Sequence, residues 1–200
     1  MTGTARKTPW ILARSAQAAI AAAAVADVFR VASAWNHAPA TPVAPVHTSR
    51  AATLSFSSLM LVAVVLFLVW LARSRRNALK LSPGAALPGG GWTVGAWFIP
   101  LVNLVAPRRV VLGIGRAGSE SWDQKRDTTL VNLWWAALIA HGVLLTLAAP
   151  VTPAPTGLLV VAEVLMIAAA VLMGLVIERI TALQTAALDA TAPVAAPTPA

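Results

Sequence analysis

Four long apolar runs dominate the chain, about Ile11 to Ser33, Thr53 to Leu71, Thr129 to Ala149 and Thr156 to Ile177. An α-helix rises about 1.5 Å per residue, so each run supplies the roughly 20 residues that cross a hydrocarbon core. A fifth apolar stretch, Trp92 to Gly118, is interrupted. Between Thr93 and Ala106 it is too short to cross as a helix, Pro100 removes a backbone donor midway, and Pro107 with Arg108 and Arg109 closes it. The pattern predicts an all-α integral membrane protein with four transmembrane helices and a Pro-interrupted re-entrant or interfacial segment between helices two and three. Residues 1–10 form an amino end, 11–184 the membrane domain, and 185–200, rich in Ala, Pro and Thr, a disordered tail. The connections at 38–45 and 150–155 are Pro-rich and predict extended backbone.

Charge orients these spans. Nine of the fifteen Lys and Arg lie between Ala72 and Thr128, with Glu120, Asp123 and Asp127 among them, whereas the connection from Ala34 to Ala52 carries only Arg50. Basic loops stay on the cytoplasmic side, and each cation gains roughly 1 kcal/mol beside anionic lipid. A plasma-membrane protein with both termini cytoplasmic is expected, in contact with anionic headgroups of the inner leaflet. The net charge of +8 is therefore a membrane signature, and no nucleic-acid partner is expected, because no basic stripe interleaves with exposed aromatics. Arg6, Lys7, the Ala-rich run and Ala24-Val25-Ala26 also resemble a secretory signal peptide. Arg14 and Gln17 interrupt that pattern and the run continues through Val28, Phe29 and Val31, so a retained span is expected.

Composition removes much chemistry. The absence of Cys excludes disulfides, thiolate metal sites and a Cys nucleophile. Trp10, Trp35, Trp70, Trp134 and Trp135 lie near span ends and predict interfacial belt anchors. Gly113-Ile114-Gly115-Arg116-Ala117-Gly118 has the spacing of a dinucleotide fingerprint but lacks the strand, helix and second strand that make one. At 100° per residue Val110, Val111, Ile114 and Ala117 share one face while Arg108, Arg109 and Arg116 share the other, which predicts an interfacial helix with its cations on lipid headgroups. No nucleophile elbow, Walker sequence or metalloprotease motif occurs, and neither enzymatic activity nor a cofactor is expected.

The sequence from Gly91 to Arg109 carries Trp97, Phe98, Pro100, Asn103 and Pro107; Leu133-Trp134-Trp135 opens the next span, and Ile180 to Gln184 closes the last helix. This pattern, over roughly Leu54 to Gln184, resembles the bacterial "domain of unknown function 4328" family. The resemblance implies a four-helix bacterial membrane protein and supplies no activity. Family members often place an aromatic or charged residue near the second Pro, where this chain has Val105-Ala106-Pro107-Arg108.

Charged groups inside spans cost roughly 2.5–3.5 kcal/mol at the bilayer centre, so each needs a partner or a task. Asp27, Arg30, His141 and Glu163 fall at one depth by helix rise, toward the end opposite the basic loop. One reading pairs Asp27 with Arg30 and lets Glu163 take a proton or bond His141, tying the bundle together. The other makes the four a cavity that binds an ion, a proton or a headgroup. Polar groups do not continue inward as a relay. The function expected is therefore a non-enzymatic interaction or scaffold component, with a membrane-protein partner, and the alternative is a small transporter or ion-translocating protein.

Overall fold

The computed structural model describes residues 3–36, 44–148 and 156–191. The Pro-rich stretches at 37–43 and 149–155 and the end of the tail lie outside them, as does the side chain of Trp35. Helices α1 (Gly3–Asn36), α2 (Ala44–Leu81), α5 (Arg126–Ala148) and α6 (Thr156–Ala190) are each long and apolar enough to cross a membrane. Between α2 and α5 lie two short helices, α3 (Gly90–Gly95) and α4 (Ala106–Ala117), joined through a 3-10 turn at Val102–Leu104. The chain is an all-α membrane protein, and its spans fall where the apolar runs place them.

Helix α1 packs along α2 and α6, and α5 packs along α6. Small side chains make the close approach possible: Ala13, Ala16, Ala23 and Ala24 of α1 and Ala162 and Ala169 of α6 are buried. Large aliphatic residues face outward instead, among them Val25, Leu61, Val164 and Val171. That distribution suits a lipid solvent and would be a liability in water. Helix α6 continues through Ala190, where the tail was expected from Thr185. Leu183 and Gln184 are buried against the bundle, and the Ala-Leu sequence after them has no breaker before Pro193.

The α3–α4 segment turns back on itself as a hairpin, the fold of a re-entrant or interfacial element. Helix α3 packs on α2, while α4 packs on α2 and α5. At the tip, Trp135 Nε1 of α5 donates to the Leu104 carbonyl at 3.0 Å, which puts that carbonyl about 14 Å along α5 from its first residue. Polar backbone at such depth must find partners within the protein, and this indole supplies one. The turn itself is tight: Val102 N–H donates to Pro100 C=O at 2.8 Å across Leu101, whose φ of 66° and ψ of −45° form a γ-turn of the rare positive-φ kind. Leu101 is 80% exposed, so the strain is not offset by burial of its side chain within the protein. A non-Gly residue held there costs about 1–3 kcal/mol. Leu101→Gly should raise the stability of the detergent-solubilised protein by about 1 kcal/mol, after allowing for the greater freedom Gly gives the unfolded chain. A lowered melting temperature would contradict this.

Helix α4 differs from the expected interfacial helix. Val110, Val111, Leu112 and Ile114 are all buried in protein, including Leu112, which the helical projection puts off the apolar face. The reason is that α4 is enclosed on more than one side, by α2, α5 and Trp122, so its buried sector is wider than that of a helix resting on a bilayer. At Gly115 a Cβ would come within 2.2 Å of the Trp122 ring, and only hydrogen fits there.

Candidate functional site

Two side-chain assemblies stand out, at opposite ends of the bundle. Away from the basic end, Arg30 Nε donates to Asp27 Oδ1 at 2.9 Å within α1, and the Arg30 guanidinium lies 5.2 Å from the Phe56 ring centroid of α2. Asp27 is only 1% exposed, so this pairing is what makes its burial tolerable. Glu163 of α6 lies within electrostatic range of Asp27, Arg30 and His141, and the bundle thus gathers all four residues singled out from the sequence. The internal wiring differs from expectation in one respect. His141 Nδ1 pairs with the Ala162 carbonyl at 2.8 Å rather than with Glu163, whose Oε2 is buried without a hydrogen-bond partner. The adjacent carbonyl on α6 meets the ring first, and Glu163 is left with an open acceptor.

The basic end holds a denser network. Asp127, at the start of α5 and 1% exposed, accepts from Arg179 Nε at 3.0 Å, from Arg179 Nη2 at 3.1 Å and from the Asp123 N–H at 3.0 Å. Arg14 of α1 bonds Glu178 Oε1 at 3.0 Å, while Gln17 reaches both Glu178 Oε2 and the Gly174 carbonyl. Trp70 Nε1 donates to Thr181 Oγ1 at 3.1 Å, and Gln184 Nε2 donates to the Ser74 carbonyl at 3.0 Å. Glu178 to Gln184 therefore joins α6 to α1, α2 and the start of α5. In the sequence Asp127 reads as an acid of the basic loop, and Arg14 and Gln17 as interruptions of an apolar pattern. Their pairing depends on helix rotation, which the apolar runs leave undefined.

Above this network Trp97 of the hairpin joins an aromatic cluster. Its ring centroid lies 5.0 Å from that of Phe67, 6.3 Å from Trp134 and 6.2 Å from Trp135, the Phe67 and Trp135 contacts being edge-on. Trp70, Trp134 and Trp135 are buried, not belt anchors at the lipid surface: Trp70 turns to Thr181 of α6, and Trp134 and Trp135 pack against Trp97 of the hairpin. Of the other motif residues, Phe98 is exposed, Pro100 and Asn103 form the tip through backbone hydrogen bonds, and Pro107 is buried in the first turn of α4. Arg109 and Arg116 are exposed. Arg108 is not: it is half-buried and donates to Asn132 Oδ1 of α5 at 2.8 Å. One residue, about 100°, around α4 from Arg109, its side chain meets α5.

Among the described residues no group of three or more His, Asp or Glu is placed to hold a metal ion. The chain matches no curated protein and no solved structure in comparison. Residues 38–182, from ahead of α2 to the basic-end network on α6, match the family model described as "Domain of unknown function (DUF4328)". The hairpin with its aromatic cluster, and most of the α6 joint, lie inside that match, and the chain belongs to this DUF4328 family.

Proposed function

We propose that the protein is a non-enzymatic scaffold or interaction component of the plasma membrane, with its basic end and both termini cytoplasmic and anionic lipid against its exposed cations. The observation that carries this reading is the use of its charged side chains. Arg14 with Glu178, Asp27 with Arg30, and Asp127 with Arg179 each close on a neighbour in the chain, the last two around a buried carboxylate, which suits a rigid framework. A groove of about 460 Å³ between α1 and α6, walled by Ala21, Ala24, Ala170 and Gly174, gives such a framework a face for a partner helix.

Glu163 favours a second reading. A buried carboxylate oxygen without a partner, facing Asp27, Arg30 and His141, is the kind of acceptor that a proton or small cation occupies in a translocating protein. Purified protein in liposomes separates the two. The scaffold reading predicts proton and cation flux no greater than in empty liposomes, and Glu163→Gln folded with a modest change in stability, since an amide keeps hydrogen-bonding capacity and removes a charge. Flux in the wild type that Glu163→Gln eliminates would replace the scaffold by a translocator.

A further inference from the structure

We propose that the cleft at the basic end between α1, α2 and α6 binds a phosphate group through Arg73, Ser74 and Asn77. Leu12, Trp70 and Gln184 complete its walls. It opens just past Leu71, where the apolar run of α2 gives way to polar sequence, which is the level of lipid headgroups.

The polar groups in this cleft belong to largely buried residues and are uncommitted within the protein. Asn77 is 9% exposed and its amide has no hydrogen-bond partner among the described residues. Ser74 is 3% exposed, and its hydroxyl does not bond back to the preceding turn as those of Ser15, Thr146 and Thr185 do. Neither group is among the side-chain atoms sealed from solvent without a partner, so both meet the opening, where water or a ligand oxygen reaches them. The neighbouring donors are already engaged: Trp70 Nε1 on Thr181 and Gln184 Nε2 on the Ser74 carbonyl. These bonds fix the walls and leave the Ser74 hydroxyl and the Asn77 amide turned to the opening.

At the rim, Arg73 is exposed and makes no ion pair with any described residue, and no acidic side chain lines the cleft. A hydroxyl, an amide NH₂ and a guanidinium are all donors, which matches the acceptor-only oxygens of a phosphate. The free volume, about 10 Å³, admits one oxygen and not a whole headgroup. The phosphate therefore sits in the mouth beside Arg73 with a single oxygen reaching Ser74 and Asn77. A lipid phosphodiester and a free phosphate offer the same oxygens.

The site rests on the proposed placement of the basic end in a headgroup layer. The test uses full-length protein in neutral micelles, titrated with short-chain phosphatidylglycerol, with phosphatidylcholine, and with inorganic phosphate at constant ionic strength, read by thermal shift. Phosphatidylglycerol should bind in preference to phosphatidylcholine. Arg73→Gln and Asn77→Leu should each weaken that binding about tenfold, while Arg109→Gln and Arg116→Gln change it less than about threefold. Arg73 is exposed, so its variant folds even if Asn77→Leu does not. Inorganic phosphate that protects and competes at millimolar concentration identifies free phosphate as the ligand; failure to compete identifies the lipid. Unchanged affinity in Arg73→Gln, with losses in Arg109→Gln and Arg116→Gln, would overturn the site and leave a diffuse basic face. Equal binding of both lipids by the wild type, with no effect of inorganic phosphate, would overturn the site and the lipid-facing placement together.

Discussion

Replacing Arg179 by Leu should destabilise the protein by about 3–5 kcal/mol, the expected cost of leaving one member of a buried ion pair behind. The asymmetry between the partners decides the size. The Asp127 side chain is 2% exposed and that of Arg179 is 32% exposed, so the carboxylate cannot turn to water when its partner goes, whereas the guanidinium can. Asp127→Leu should accordingly cost less, toward about 3 kcal/mol, through the lost hydrogen bonds and the unpaired Asp123 N–H. The double variant should be more stable than Arg179→Leu alone, because no charge is stranded. Unfolding of the four proteins in mixed micelles gives the coupling directly. Additive losses would mean that the two residues do not act as a pair.

Trp97→Ala should cost a comparable amount, about 3–5 kcal/mol, because it empties the centre of the cluster formed by Phe67, Trp134 and Trp135. In a bilayer the loss is one of packing, since lipid tails are as apolar as the ring and cannot fill a void of that shape. Trp97→Phe should be close to neutral, given that the Trp97 Nε1 has no hydrogen-bond partner to lose. Trp135→Phe should cost about 1 kcal/mol or more, since it frees the Leu104 carbonyl at the hairpin tip. Equal effects of the two Phe substitutions in thermal unfolding would show that the indole bond to Leu104 does not hold the hairpin in place.

The spans were legible because the bilayer imposes a length: a run such as Gly157 to Ile177 has no other stable environment, and its helix is the form that satisfies its own backbone. Pro100 and Pro107 likewise announced that the segment between α2 and α5 turns back. Its depth was hidden, because the same apolar face on Val110, Val111 and Ile114 serves equally against lipid or against α2 and α5. Helix rise sufficed to place Asp27, Arg30, His141 and Glu163 at one level. It could not assign bonds, and His141 meets the Ala162 carbonyl in place of Glu163. The basic-end joint was least legible: Asp127 and Arg179 stand 52 positions apart, and only the rotation of α6 against the start of α5 brings them to 3.0 Å.

The central claim is that the chain crosses the membrane four times and that the segment between α2 and α5 dips in and returns. The protein contains no cysteine, so single cysteines introduced on a native background report without interference. Ala86→Cys precedes the hairpin, Ser119→Cys follows it, and Thr152→Cys lies between α5 and α6. In intact cells treated with a membrane-impermeant maleimide, Thr152→Cys should label, whereas Ala86→Cys and Ser119→Cys should label only after permeabilisation. Labelling of Ala86→Cys and Ser119→Cys from opposite sides would contradict the hairpin and make the segment a fifth span.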